Sequence, residues 1–362
     1  MSKDLDGVRV IDMSTMAIGP LCTSLLGEKG AEIVKVEPKR GGDPLRYIPL
    51  FPKVEIRGET VSLPFLSLNA GKRSVTLSFR KGKGREHLLS LIRSADVLVE
   101  NFKPGAMAEW GLDDDTLHSI NPRLIVVHIS SYGQNSPLSQ SMFHESNLTS
   151  MVGILDGLQK QWLKSNTPAH IPGMGLSAAN ACAFDIITSL FSRFNTNRGT
   201  VIDFSIVKSF VRTQGVVLTE MHYEKSNSKN DKTLTTSARN GFYQCKDDGW
   251  VCFAAVETRL YESFLKEVGL HHIIKMSEEE QLLHLKELFK TRDKAEWGEL
   301  FYGTDCCLTP VNSTDEALSI LELSDVMGKC DRGGENFIIL GHAPNAGPPP
   351  KLGEHNHLYF VE

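Results

Sequence analysis

Val8-Arg9-Val10-Ile11-Asp12-Met13, then Ile18-Gly19-Pro20 opening a run to Lys29-Gly30, then Ala31-Glu32-Ile33-Val34-Lys35-Val36: on this stretch the fold turns. The first hexapeptide reads as a short buried strand. Leu21 to Lys29 reads as a helix closed by Gly30, and Ala31 to Val36 as a second strand. Glycine suits the position after a last helical turn because it enters the left-handed region without steric cost. Strand, helix and strand at this spacing predict a right-handed crossover between parallel strands. Val75–Phe79, Arg85–Ser94 and Val97–Glu100 repeat the pattern, and Leu124–Ser130 adds another apolar strand. The first half therefore reads as an α/β domain on an open, doubly wound sheet.

Further along, Ser177–Phe194 is a long, mostly apolar helical run closed by Asn197-Arg198-Gly199, after which Val201–Ser205 resumes as a strand. Glu224–Asp231 is polar and rich in breakers, the composition of a loop or linker. Gly241–Gln244, Trp250–Ala255 and two helical patterns, Leu260–Val268 and Glu278–Phe289, predict a smaller α+β domain. The expected division is a large domain over 1–195 and 325–362 and a small one over 200–324. Pro344–Lys351 forms a proline-rich connector.

The 362 residues are 41% hydrophobic and 23% charged, which excludes a disordered, collagenous or rod-like chain. With 39 Lys plus Arg against 44 Asp plus Glu, the net charge of −5 gives no reason to expect nucleic acid or an anionic membrane as partner. No apolar stretch approaches the roughly 20 residues a spanning helix needs. Neither a signal-peptide core nor a prenylation or peroxisomal ending is present, and the seven cysteines lack zinc-ligand spacing. The expected setting is cytoplasmic, with reduced and mostly buried thiols.

Three generic motifs carry little. Gly173-Met174-Gly175-Leu176-Ser177-Ala178 matches a dinucleotide fingerprint but follows no clear strand. Lys81-Gly82-Lys83-Gly84-Arg85 lacks phosphate-loop order, and His271-His272 and His355/His357 lack a third metal ligand, so these histidines are expected at the surface.

A longer series is specific. Val34-Lys35-Val36-Glu37-Pro38 leads to Gly41-Gly42-Asp43-Pro44. Leu68-Asn69-Ala70-Gly71-Lys72-Arg73-Ser74 precedes a strand, and Glu100-Asn101-Phe102-Lys103-Pro104-Gly105 ends one. Trp110-Gly111-Leu112, Asn121-Pro122-Arg123-Leu124 and Ser130-Ser131-Tyr132-Gly133-Gln134 follow. Then come Asn197-Arg198-Gly199, Gly303–Val311 and Leu352-Gly353-Glu354-His355. In order and spacing, these resemble the family III CoA-transferase and α-methylacyl-CoA racemase superfamily, nearest its racemase branch, over most of the chain. The resemblance implies a Rossmann-like large domain, a smaller α+β domain and an interlocked homodimer. It also implies an acyl-CoA substrate, with coenzyme A as part of that substrate and no prosthetic group or metal. Arg and Lys suit the phosphates of CoA for different geometric reasons. Lys39, Arg40, Arg46, Lys72, Arg73 and Lys103, with Asn69 and Asn101, lie in or beside loops at strand ends and are the expected CoA contacts. Each cation taken alone reads equally well as a solvated loop charge.

Catalysis is expected at Phe143-His144-Glu145. In the resembling transferases an Asp after the Gly-Gln segment attacks the thioester, and Glu145 occupies that position. In the racemases the preceding His moves the α-proton; His144 matches it, and Glu257 matches the carboxylate that orients it. The racemases place a second acid/base, an Asp, ahead of the long helix. Counting along the chain lands near Met174, and a thioether exchanges no proton. Asp185 is about 11 residues on, roughly 16 Å along a helix. The sequence thus points to proton transfer at the α-carbon of a CoA thioester. The alternatives are CoA transfer through Glu145, or an isomerase or acyl-CoA binder with an eroded racemase site.

Overall fold

The computed structural model of the chain describes residues 4–79, 81–141, 144–152, 176–227, 237–301, 304, 306–320, 327–332, 335–340 and 347–360. Phe143, Met174 and the rest of 173–175 lie outside the described residues, and for Glu145 the backbone alone is described. The chain divides into two compact units, Met1–Asn227 with Leu323–Glu362, and Ser228–Glu322.

In the first unit the strands are β1 (Arg9–Asp12), β2 (Glu32–Pro38), β3 (Lys53–Ile56), β4 (Glu59–Ser62), β5 (Arg73–Leu77), β6 (Val97–Glu100), β7 (Ile125–Ser130) and β8 (Thr200–Ser205). Six of them form one sheet in the order β5-β2-β1-β6-β7-β8, parallel at every pairing. Strands buried on both faces must be apolar at nearly every position, which is why β6 and β7 are such continuous runs. Val10, Val97, Val99, Ile125 and Val127 pack on one side with the helices Ile18–Glu28 and Ser177–Thr196. Ile11, Val34, Val75, Leu98 and Val126 pack on the other with the helices Lys83–Arg93 and Asp114–Ile120. Strand order reverses between β1 and β6, the two halves running outward from that seam.

β8 corrects the expected domain limits. Residues 200–227 were assigned to the small domain, but β8 pairs in parallel with β7 from Thr200 to Ser205, and the helices Ile206–Thr213 and Gly215–Asn227 follow it in the same unit. The last of these takes up the start of the expected linker at Glu224. A close approach enforces the pairing: a Cβ on Gly199 would sit 1.8 Å from the Leu124 carbonyl oxygen. That oxygen is backbone and cannot swing away. Gly199→Ala is therefore expected to cost at least the 1–3 kcal/mol typical of overpacking, about the top of that range, read as a lowered urea midpoint. An unchanged midpoint would mean that β8 shifts freely.

The end of the chain returns to cover the open edge at β5. His355 Nδ1 accepts the Ser74 N–H at 3.1 Å, and Asn356 Oδ1 accepts the Thr76 N–H at 2.8 Å. These are donors an uncovered edge strand leaves exposed. His355 thus has a backbone partner and is not the free surface residue the sequence suggested.

The second unit holds β9 (Asn240–Gln244), β10 (Trp250–Ala254) and β11 (Leu308–Pro310), antiparallel in the order β11-β10-β9. The helices Thr258–Glu267, Glu278–Phe289 and Lys294–Phe301 cover one face around Tyr243, Phe253, Phe264, Phe289 and Trp297. β12 (Met327–Arg332) and β13 (Glu335–Leu340), which belong to the first unit, form a separate antiparallel hairpin. Among the described residues, no helix is long and apolar enough to cross a membrane.

Candidate active site

Open α/β sheets bind ligands outside the carboxyl ends of their strands, where the order reverses. Here that place lies between Asp12 at the end of β1 and Glu100 at the end of β6. The turn after β1 is held by side chains. Ser14 N–H donates to Asp12 Oδ1 at 3.0 Å and the Ser14 carbonyl accepts from Lys35 Nζ at 2.9 Å. Thr15 N–H donates to Asn101 Oδ1 at 2.9 Å, its carbonyl accepts from Asn101 Nδ2 at 2.8 Å, and Met16 N–H donates to Asp43 Oδ1 at 3.1 Å.

Beneath this turn lies a fully enclosed charge lattice. Lys72 Nζ donates to Asp12 Oδ2 at 2.9 Å, the Pro20 carbonyl at 2.7 Å and Thr23 Oγ1 at 2.9 Å. Lys35 lies 3.0 Å from Asp43, and Arg46 grips Glu37 through Nε and Nη2 at 2.8 and 2.7 Å. Burial by itself would raise the Asp12 carboxyl, but Lys72, Lys35 and Ser14 outweigh it and hold the group well below the usual range. Burial pushes the Lys72 ammonium down to about 8, with Asp12 opposing only in part. Asp12, Asp43 and Glu37 face Lys72, Lys35 and Arg46, and the partly exposed Glu59 lies 4.0 Å from Arg46 at the edge of the lattice.

A second buried network joins β6 to β7. The two ring nitrogens of His128 contact Glu100 and Asp114, and Glu100 Oε2 accepts the Phe102 N–H at 2.6 Å. Burial opposes charge on the imidazole, yet the two carboxylates lift it to about 9. A folded value above the free value of 6.5 means stabilisation that is complete below 6.5 and lost as pH rises through about 9. The wild type is expected to lose about 3 kcal/mol of unfolding free energy across that window, and His128→Gln to lack this loss, in urea melts at matched pH. Parallel pH profiles would refute the charged bridge.

The expected CoA contacts separate into two groups. Lys39 and Arg40 follow β2, Lys103 follows β6, and all three are exposed at the carboxyl ends of their strands. The others are engaged in structure. Arg46 is enclosed, lies over the Phe65 ring at 4.0 Å and donates to the Pro350 carbonyl at 3.1 Å. Lys72 is buried with its three donors satisfied. Arg73 turns to Glu32 and Tyr359, toward the amino ends of the strands and away from the rim. Asn69 is buried; its amide donates to the Phe65 carbonyl at 3.1 Å while Oδ1 has no hydrogen-bond partner among the described residues. Asn101 spends both ends of its amide on Thr15. Arg46, Lys72, Arg73 and Asn101 thus have hydrogen-bond partners within the chain.

His144 is exposed at the position capping the helix Glu145–Met151, its backbone N–H donating to Asn147 Oδ1 at 3.1 Å. Glu145 opens that helix. The segment follows β7 in the chain, 14 positions after its last residue, Ser130. Glu257 is exposed before the helix Thr258–Glu267 of the second unit. No cluster of three or more His, Cys, Asp or Glu suited to a metal occurs among the described residues. Sequence reading missed Asp12, Asp43, Glu37 and His128 as determinants of the site. The signal was present, since a charge inside an apolar parallel strand must find a partner.

Comparison with known proteins gives a consistent result. The family model described as CoA-transferase family III matches residues 5–356. The chain is 31% identical to the succinyl-CoA–L-malate CoA-transferase beta subunit of Chloroflexus aurantiacus, over 99% of this chain and 93% of that protein. It is 29% identical to the alpha-methylacyl-CoA racemase of Homo sapiens, over 87% of this chain and 79% of that protein. A solved CAIB/BAIF family protein from Brucella suis shares the fold, with TM-score 0.80 and 23% identity over 99% of this chain and 98% of that one.

Proposed function

The chain belongs to CoA-transferase family III, and on that footing we propose that it moves the α-proton of a CoA thioester as a racemase-type isomerase. The observation that supports this reading is that His144 is exposed at the head of the helix Glu145–Met151, in the connection that follows β7, and connections after parallel strands are where open α/β sheets bind ligands. A base within reach of the carbon next to a thioester carbonyl removes its proton to give an enolate, and backbone amides at the rim stabilise the charge on oxygen. Lys39, Arg40 and Lys103 supply positive charge for the CoA phosphates. His144 would remove the proton from one face of the α-carbon, and inversion requires that a proton return to the enolate from the opposite face, from solvent or after the enolate turns over. The test is to incubate one C2 epimer of a 2-methylacyl-CoA with the enzyme and follow the other by chiral chromatography. Appearance of the second epimer supports the reading, and an unchanged epimer opposes it.

A second reading rests on Glu145, the carboxyl-bearing residue at the start of the same helix. As a nucleophile it would attack the acyl-CoA to give an acyl anhydride and displace the CoA thiolate, which would then attack the Glu145 carbonyl to give an enzyme-CoA thioester and release the acid. Hydroxylamine would trap that thioester, and Glu145→Gln would leave nothing to trap.

We also assign the protein a homodimeric state. Phe184, Ile187, Phe191 and Phe194 recur at helical spacing on Ser177–Thr196, and Phe194 is 88% exposed. Such a stripe is costly to leave in water. Light scattering should give twice the chain mass; a monomer would oppose the assignment.

A further inference from the structure

The turn Ser14–Met16 is held more firmly than a three-residue connection needs. Its five polar backbone groups bonded to side chains draw on four residues from separate segments: Asp12 on β1, Lys35 on β2, Asp43 beyond β2 and Asn101 beyond β6. Met16 occupies the left-handed region at φ 67°, a strained conformation for a side-chain-bearing residue. Its side chain packs on the cluster of Leu45, Val54, Ile56, Val61, Phe65 and Leu66, which fixes the knuckle from the other side. The following helix presses close, since a Cβ on Gly19 would lie 2.3 Å from the Ser14 side chain.

Buried ion pairs are poor sources of stability, because removing charges from water offsets much of their attraction. Strained turns persist where the surroundings over-determine them, and they concentrate at functional sites. The turn also lies at the point where strand order reverses. Resting on the function proposed above, we propose that Asn101, with Lys35, Asp43 and Asp12, is a positioning residue. Together they hold Ser14–Met16 as a rigid shelf against which the thioester end of the substrate is aligned. Lys72 has a supporting part: it balances the Asp12 charge, so that the carboxylate remains available to Ser14. The half-buried Thr15, whose two backbone groups Asn101 pins, is the residue this shelf presents.

Asn101 offers the cleanest test because it is only partly buried. Asn101→Ala frees both Thr15 groups. Asn101→Asp keeps an acceptor for the Thr15 N–H but sets a carboxylate against the Thr15 carbonyl. Misalignment of about 1 Å can cost about 100-fold, so Asn101→Ala is expected to lower kcat for α-proton exchange about 10- to 100-fold. KM and free-CoA affinity by calorimetry should stay within about threefold, since ground-state binding is untouched. The melting temperature should move little, and Asn101→Asp should be no better than Asn101→Ala. Backbone amide exchange supplies the structural readout, with the Thr15 N–H losing protection in both variants. Loss of CoA affinity in step with kcat would make Asn101 a ligand contact and overturn the proposal. So would unaltered kcat with an unprotected Thr15. Inactivity of the wild type in both exchange and transfer would instead overturn the parent reading.

Discussion

Replacing His144 with alanine is expected to lower α-proton exchange on a 2-methylacyl-CoA by about 10²- to 10⁴-fold, the range for loss of a general acid–base group. The fold should be indifferent to the change. His144 is exposed, and its backbone N–H, which donates to Asn147 Oδ1, is retained by alanine. The melting temperature and the affinity for free CoA should therefore match the wild type. This separation gives the experiment its force, because a structural histidine would lower stability and activity together. Retention of exchange in His144→Ala would remove the imidazole from the mechanism and leave Glu145 as the centre of the chemistry.

The largest effect on stability is expected from Arg46→Met. Arg46 supplies two hydrogen bonds to Glu37, one to the Pro350 carbonyl and a cationic face over Phe65, all away from water. Its loss leaves Glu37 with the Ser74 hydroxyl at 2.7 Å and the Asp43 N–H at 2.9 Å. Breaking one side of a buried pair costs about 3–5 kcal/mol, a large part of the roughly 5–15 kcal/mol that holds a domain folded. Burial would raise the Glu37 carboxyl, but Arg46 and Lys35 hold it below its ordinary 4.5. That stabilisation is present above the ordinary value and is lost as pH falls through the lower folded value. The gap between wild type and variant should accordingly narrow in acid. Adding Glu37→Gln to the variant should recover part of the loss, since the stranded charge is then gone. A difference below about 1 kcal/mol at neutral pH would show that Glu37 finds another partner or water.

How much of this was legible depends on the range over which each signal acts. Strand and helix patterns are local, and Val97–Glu100 and Glu278–Phe289 have the limits that their apolar spacing indicates. The hairpin of β3 and β4 was missed although its signal is also local. Lys53–Ser62 alternates around Arg57-Gly58, both at positive φ of 53° and 77°, as a two-residue hairpin turn requires. Arginine in place of the usual Asn or Asp concealed it. The long-range pairings are of another kind. Arg46 and Lys72 look like loop cations awaiting phosphate because nothing nearby in sequence shows that Glu37 and Asp12 will meet them. Lys72 lies 60 positions from its carboxylate. Residue type was readable, but the partner depends on how the parallel strands align side by side.

The most direct measurement is deuterium incorporation at C2 of a 2-methylacyl-CoA, followed by mass spectrometry during incubation with the wild-type protein in heavy water. The account predicts enzyme-dependent gain of one deuterium, suppressed by excess free CoA and absent in His144→Ala. A substrate that stays fully protonated beside an enzyme shown by calorimetry to have bound it would contradict proton transfer as the reaction of this site.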